Sequence, residues 1–312
     1  LLYAFRVNAG LPAPGKPLGG WESPSCEVRG HFMGHYLSAC ALMYASTGDE
    51  AVKAKSAAVV AELAKCQDAL GEGYLSACPA SFFDRLETGK PVWAAYYVVH
   101  KMMAGLLDQY ALCGNTQALD MAKAMAACFK KRCDRFATPE EARVQLDKNE
   151  EGGICESLWN LYAFTGDPEH RALADKLEKR SFLDPLALGA DNLAHRHGNT
   201  HIPLAVGAAR RYELTGESRY LYAAEYFWDR VVTARSFATG GSTDHEVWGD
   251  PYILADSLND TNHETCKTYN MLKLTQALFR LTGDPRYAEF YERALLNGIL
   301  GTEGPDPGAC EY

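Results

Sequence analysis

The chain has 312 residues, of which 47% are hydrophobic and 23% are charged, and its net charge is −9 at pH 7. This composition is typical of a globular protein that buries a substantial core. The sequence contains no apolar run of about eighteen residues, which argues against a membrane span. No Lys/Arg cluster exceeds a few residues, which argues against nucleic acid as a partner.

The two ends and the cysteines say little about location. The chain opens with Leu-Leu-Tyr and stops at Cys310-Glu311-Tyr312, so we expect both ends to be cut from a longer polypeptide, and the compartment stays open. The ten cysteines show no Cys-x-x-Cys spacing. We expect most of them to be buried structural thiols rather than a disulfide framework.

A first pair of candidate ligands comes near the N-terminus. His31 and His35 are four residues apart and would share one face of a helix, where they could hold a metal ion. No Glu accompanies them, and Gly30 and Gly34 are expected to interrupt the helix. A hydrogen-bonding role in a cavity wall is therefore favoured over a metal.

One short pattern recurs along the chain and predicts the fold. An apolar helical run ends at Gly and a new helical run follows at five places: Ser46–Asp49, Leu112–Asn115, Phe164–Asp167, Leu214–Glu217 and Leu281–Asp284. Gly suits the left-handed residue that ends a helix, and Asp or Asn suits the cap of the next one. The pattern therefore predicts helical hairpins, joined by long loops at 67–93, 134–153, 181–201 and 236–262.

The hairpins could close in two ways. An open solenoid would keep its loops short and its repeat strict. A closed (α/α)6 toroid tolerates long loops on one rim, and the loops of this chain hold much of its Trp, His, Asp and Glu. We therefore predict that residues 1–312 are an all-α, incomplete (α/α)6 toroid with about five of its six hairpins.

Three further segments hold candidate site residues, and each lies within or directly after a predicted loop. Trp93, Tyr97 and His100 are spaced to share a helix face, a stripe that is more often core than site. Glu156 falls in the first turn of a predicted helix, where interaction with the helix dipole is an equally good explanation. A later segment holds three histidines: His195, His197 and His201. That cluster suits hydroxyl recognition in a polar cleft better than zinc, which would need a further ligand.

The stretch 240–274 is the densest in chemical groups. Its first half, rich in Gly, Ser, Asp and Pro, is expected to be irregular. A helix is expected from about His263, capped by Thr261 or Asn262, with Glu264 and Cys266 in its first turn. The unsatisfied N–H groups at such a helix start favour negatively charged side chains.

These groups indicate carbohydrate chemistry, because aromatic rings stack on sugars while carboxylates and histidines bind hydroxyls. Glu246 and Glu264 are the natural pair for glycoside cleavage by two carboxyl groups. Cys266 keeps a second option open, in which Glu264 and a thiolate are ligands of a zinc ion.

Five segments, in order along the chain, resemble those of glycoside hydrolase family 127, the β-L-arabinofuranosidases. They are GGWESPSCEVRGHFMGHYLSA, VWAAYYVVHKMMAGLLD, HGNTHIPLAVGAARRYELTGE, STDHEVWGDP and NHETCKTYNMLKLTQALF. The resemblance implies an (α/α)6-barrel catalytic domain. In full-length members this domain is followed by β-sandwich domains, which are absent from this chain. It also implies an arabinose-containing glycan as the substrate.

The resemblance further implies a retaining mechanism in which a zinc-bound cysteine thiolate attacks the anomeric carbon. Glu246 would then be the general acid/base, and Glu264 and Cys266 would be two ligands of the zinc ion. The side chains expected to bind the sugar are His100, His201, Trp93 and Trp248.

One departure from the family pattern affects the expected activity. The family takes its other two zinc ligands, one of them the nucleophile, from an adjacent Cys-Cys pair, whereas Cys310 is solitary and no such pair occurs in this sequence. We therefore expect the parent protein to be a hydrolase and this chain alone to be inactive. Two alternatives stay open: a metal-independent α/α-toroid glycosidase or lyase that uses Glu246, and a non-catalytic sugar-binding helical-repeat protein.

Overall fold

The structure, a computed structural model, describes residues 1–146 and 152–306. The chain divides into two compact units, Leu1–Glu178 and Lys179–Tyr312. In the described ranges the regular elements are helices, and β-structure is limited to isolated bridges. The predicted all-α class is confirmed, whereas the closed toroid stays a prediction.

The first unit is built from nine described α-helices. They are α1 (Leu2–Asn8), α2 (His31–Thr47), α3 (Glu50–Leu70), α4 (Ser81–Glu87), α5 (Ala95–Cys113), α6 (Thr116–Cys133), α7 (Pro139–Leu146), α8 (Ile154–Thr165) and α9 (Pro168–Lys176). Helices α4 and α7 lie in segments that were predicted as loops. They have seven and eight residues, too few to show a clear helical period in the sequence.

The second unit contains five further α-helices in its described part. They are α10 (Arg180–Ala187), α11 (Gly198–Thr215), α12 (Ser218–Ala234), α13 (Thr265–Thr282) and α14 (Pro285–Gly298). Their core includes Trp228, whose ring lies 4.6 Å from that of Tyr287 and whose indole N–H donates to Thr275 Oγ1 at 2.8 Å. No helix in the described residues of either unit is long and apolar enough to cross a membrane.

The five predicted hairpin turns are all confirmed. Their glycines end α2, α5, α8, α11 and α13 with φ between 67° and 71°: Gly48, Gly114, Gly166, Gly216 and Gly283. In four turns the following side chain accepts a backbone N–H of the next helix, from Asp49, Asn115, Asp167 and Asp284. Glu217 occupies the same position without a side-chain cap bond.

Helices α2 and α5 cross through two glycines. A Cβ on Gly34 would lie 2.0 Å from the carbonyl oxygen of Lys101, and a Cβ on Gly105 would lie 2.4 Å from that of Gly34. The prediction that Gly34 interrupts α2 is therefore wrong. Its missing side chain permits a close backbone approach between two continuous helices.

We expect Gly34→Ala to destabilise the protein by about 1–3 kcal/mol or more, because the new methyl group meets backbone that cannot rotate away. Gly19→Ala is the matched control, since a Cβ there would have nothing within 4 Å. Denaturant unfolding of both variants measures the difference. Equal midpoints would show that the crossing tolerates a methyl group.

Candidate functional site

Glu246, the predicted acid/base, lies against the start of α11 in the second unit. Its Oε2 is 3.2 Å from Nε2 of His197, the N-cap residue of α11. Nδ1 of His197 accepts the N–H of Thr200 at 3.3 Å. A neutral imidazole that accepts at Nδ1 carries its proton at Nε2, so His197 donates to the Glu246 carboxylate. One imidazole thus links the helix cap to the candidate catalytic group.

The backbone around Glu246 is fixed while its carboxyl group reaches solvent. The N–H of Gly198 donates to the Glu246 carbonyl at 2.7 Å, and the N–H of His195 donates to the Trp248 carbonyl at 2.7 Å. Glu246 has a φ of 68° and His245 one of 44°, a left-handed conformation that costs of order 1–3 kcal/mol for a residue with a side chain. The Glu246 side chain remains 42% exposed.

Helix α13 begins later than predicted. Glu264 is its N-cap and Cys266 its second residue, so the prediction that Glu264 lies in the first turn is wrong. The expected caps are engaged elsewhere, since the Thr261 hydroxyl donates to a carboxylate earlier in the loop and the Asn262 amide donates to a backbone carbonyl. His263 has a φ of 65°, a conformation that a right-handed helix does not contain.

The sequence pattern did not single out Lys267, which organises this helix start. Its side chain is fully buried, and Nζ lies 2.6 Å from Oε2 of Glu264 and contacts Oγ1 of Thr243. Gly198 leaves room for the lysine stem, because a Cβ at Gly198 would lie 2.8 Å from Lys267 Cδ. Lys267 therefore joins the starts of α11 and α13 to the loop that carries Glu246. Its spacing of three residues from Glu264 was the available signal.

The donors at the start of α13 fit part of a zinc site. Glu264 offers a carboxylate and Cys266 a half-buried thiol, and Zn²⁺ accepts both kinds of ligand. Across residues 1–146 and 152–306, no cluster of three or more His, Cys, Asp and Glu could hold a metal. Cys310 lies outside the described residues. A four-coordinate zinc ion would therefore need ligands in addition to these two.

His201, a predicted sugar ligand, lies on the first turns of α11. It is buried, its ring is 4.8 Å from that of Phe182, and its Nδ1 lies 2.8 Å from the His197 carbonyl oxygen. Burial, and secondarily the charge of Lys179, lowers the pKa of His201 to about 3. The imidazole therefore stays neutral at physiological pH and can exchange neutral hydrogen bonds.

This burial predicts a pH-dependent contribution to stability. The unfolded chain binds a proton at His201 near pH 6.5 and the folded chain only near pH 3, so the contribution is complete above about 6.5 and is lost as pH falls. We expect His201→Gln to flatten the pH dependence of the free energy of unfolding between about 6.5 and 4 relative to the parent. Parallel slopes for the parent and the His201 variant would contradict the assignment.

In the first unit the structure brings His100 and Glu156 together. His100 is fully buried, Glu156 is 6% exposed, and Nε2 of His100 lies 3.4 Å from Oε2 of Glu156. Trp93 is 48% exposed and lies before the start of α5. Its backbone N–H donates to Oε2 of Glu27 at 2.8 Å. The predicted common helix face therefore holds for Tyr97 and His100 but not for Trp93.

The role predicted for Trp248 needs correction. Its side chain is fully buried in the core of the second unit, with its ring 5.6 Å from that of Phe227 in an edge-to-face arrangement. A ring without an exposed face cannot stack on a sugar, so the stacking prediction is wrong. The polar residues around Trp248 in the sequence suggested exposure, whereas the ring lies in an apolar cluster that includes Phe227 of α12.

His31, the first histidine of the pair near the N-terminus, makes local polar contacts. Nδ1 of His31 lies 2.9 Å from the Val28 carbonyl and 3.2 Å from Oε1 of Glu22. Glu22 also accepts the N–H groups of Gly30 and Phe32 at the start of α2. This arrangement fits the favoured hydrogen-bonding role.

The cysteines are less buried than the sequence predicted, since four of the nine in the described residues are buried and five are half-buried. No disulfide joins the nine cysteines in the described part of the chain. Cys66, Cys78, Cys133 and Cys155 are buried. Burial raises the pKa of the Cys78 thiol to about 11, which leaves it protonated and inert at neutral pH.

Comparison with known proteins gives three kinds of match. The family model for the β-L-arabinofuranosidase GH127 catalytic domain matches residues 1–312. The non-reducing end β-L-arabinofuranosidase of Bifidobacterium longum subsp. longum is 27% identical over 236 residues, which are 65% of this chain and 35% of that protein.

Two solved structures share the fold. A GH127 β-arabinofuranosidase is 22% identical, and a GH127 β-L-arabinofuranosidase from Geobacillus stearothermophilus T6 is 18% identical. Each superposes with a TM-score of 0.75 over 99% of this chain. The chain spans 50% and 51% of these two proteins, about half their length.

Proposed function

The chain belongs to the GH127 family of β-L-arabinofuranosidase catalytic domains, and from this premise we propose that its protein releases L-arabinofuranose from β-L-arabinofuranosides. The observation that carries the proposal is the Glu246–His197 pair, because it gives a half-exposed carboxyl group a fixed hydrogen-bond donor within the matched domain. An arabinose-containing glycan is the proposed substrate. The reaction is proposed to retain the anomeric configuration.

Glu246 is the proposed general acid/base. In its acid form it gives a proton to the oxygen of the departing group, and in its base form it takes a proton from the attacking water. His197 restricts the carboxyl group to one orientation through the bond at Oε2. The strained backbone at Glu246 and His245 limits alternative placements of the same side chain.

Glu264 and Cys266 are the proposed zinc ligands that this chain contributes. Bound zinc would keep a thiol ionised, which supports the proposed thiolate attack on the anomeric carbon. The Cys-Cys pair that would supply the attacking thiolate does not occur in these 312 residues. The steps assigned to this chain are therefore binding and proton transfer. His100, His201 and Trp93 are the proposed sugar-binding residues, and Trp248 is no longer among them.

The test uses the product of the complete gene that contains this chain. We expect about one zinc ion per molecule by elemental analysis and hydrolysis of an aryl β-L-arabinofuranoside. Cys266→Ser and Glu264→Gln should lower zinc content and activity together, whereas Asp256→Asn, at an exposed carboxylate of the same loop, should change neither.

Each alternative predicts a different result. Full hydrolysis by a zinc-free protein would favour the metal-independent glycosidase that uses Glu246. Arabinoside binding without turnover would favour the sugar-binding protein. Neither binding nor turnover of a β-L-arabinofuranoside would overturn the proposed function.

A further inference from the structure

We propose that Glu156 is a positioning residue that fixes the orientation and the proton of the His100 imidazole. This inference rests on the proposed function, in which His100 binds the sugar. It starts from the 3.4 Å approach of Glu156 Oε2 to His100 Nε2, between two side chains withdrawn from solvent.

Burial separates this role from simple interaction with the helix dipole. Glu156 is the third residue of α8, a position where a carboxylate often serves the helix start from the surface. Here Glu156 is only 6% exposed, and the N-cap is Gly153, which offers no side-chain acceptor. Burying a carboxylate costs several kcal/mol unless polar or charged partners compensate, and the His100 ring is one group close enough to contribute.

Contacts on both sides of Glu156 fix its register against α5. Gly152, just before α8, packs so closely on Tyr97 that a Cβ there would lie 2.4 Å from the ring. Ser157, just after Glu156, donates its hydroxyl to the His100 carbonyl at 3.4 Å. The start of α8 is therefore held against the turn of α5 that carries His100, which places the Glu156 carboxylate beside the His100 ring.

The consequence is chemical as well as geometric. A carboxylate facing Nε2 favours the neutral tautomer that keeps its proton on that nitrogen, and it stabilises the charged ring. Removing the carboxylate should change how His100 meets a sugar hydroxyl. If Glu156 had only a packing role, its replacement by Gln would leave the tautomer of His100 and its contact with the sugar unchanged.

The first test is a double-mutant cycle in the complete protein. We expect Glu156→Gln to raise KM for an aryl β-L-arabinofuranoside about tenfold, as for loss of one favourable contact with a charged group, with a smaller change in kcat. Glu156→Asp should recover part of the loss. Ser157→Ala is the matched control, because it removes a contact to the backbone of His100 and leaves the ring contact intact.

The double-mutant cycle tests whether the effects of the Glu156 and His100 substitutions are additive. If Glu156 acts through His100, Glu156→Gln should have less than about a twofold effect in a His100→Ala background. An equal loss in both backgrounds would overturn the proposal. If Glu156→Gln does not fold, Glu156→Asp carries the same comparison.

A second measurement separates this proposal from the proposed function. Nitrogen-15 NMR of the histidine rings reports the tautomer of His100 without any substrate. A shift of the His100 Nε2 resonance in Glu156→Gln but not in Ser157→Ala supports the positioning role, even for a protein that does not cleave arabinosides. Unchanged resonances would overturn the positioning role, even for an active arabinofuranosidase.

Discussion

Replacing Glu246 with Gln should lower kcat/KM of the complete protein by a factor of about 10²–10⁴ on arabinosides with a poor leaving group. Gln keeps the size of the side chain and can still meet His197, but it can neither give nor take the catalytic proton. On an aryl arabinoside whose phenol is acidic, the leaving group needs little protonation, so the loss in the rate of bond cleavage should be much smaller. The measurement is therefore a series of aryl arabinosides of graded leaving-group acidity.

The same series provides the control. Asp256→Asn removes a carboxylate from the same loop, on the exposed 3-10 turn Ala255–Ser257, and should follow the parent within about twofold across the series. His197→Asn should give an intermediate loss, because Glu246 keeps its chemistry and loses its fixed donor. A Glu246→Gln variant with uniform, small losses across all leaving groups would rule out the acid/base role.

The hairpin turns of this fold could be predicted because their causes are local. Gly48 and Asp49, for example, meet the needs of a helix end and a helix start within two adjacent residues. The sequence pattern missed a further local device, since Thr47 donates to the Met43 carbonyl and accepts the N–H of Asp49. The same threonine bridge recurs before three of the other turns, at Thr165, Thr215 and Thr282.

The site was harder to predict because its contacts join distant parts of the chain. His197 meets Glu246 across 49 positions, and His100 meets Glu156 across 56. Neither contact follows from any local period, although both members of each pair stand out by residue type. Trp248 shows the opposite error, because a residue in a polar loop is buried in an apolar cluster that includes Phe227 of α12.

Replacing Lys267 with Met should destabilise the protein by about 3–5 kcal/mol, which is the usual cost of removing one member of a buried ion pair. The variant would leave the Glu264 carboxylate, which is 14% exposed, without the ammonium group 2.6 Å away. Glu264→Gln combined with Lys267→Met should recover most of this loss, since the pair is then replaced by two uncharged groups. Denaturant unfolding of the two single variants and the double variant measures the coupling.

An exposed ion pair between α13 and α11 is the matched control. Arg280 pairs with Glu213 at 2.8 Å, and its side chain is 64% exposed. Arg280→Met should therefore cost less than about 1 kcal/mol. A loss for Lys267→Met as small as for Arg280→Met would show that the buried pair does not hold the start of α13.

Zinc should modify the Lys267→Met result if Glu264 is a metal ligand. A cation bound at Glu264 would replace the missing positive charge, and binding to the folded state raises its stability in proportion to RT ln(1 + [L]/Kd). Added zinc should then raise the melting temperature of Lys267→Met more than that of Lys267→Met/Glu264→Gln, in the complete protein. Equal shifts of the melting temperature in the two variants would show that zinc does not bind at Glu264. Lys267 would then have a purely structural role.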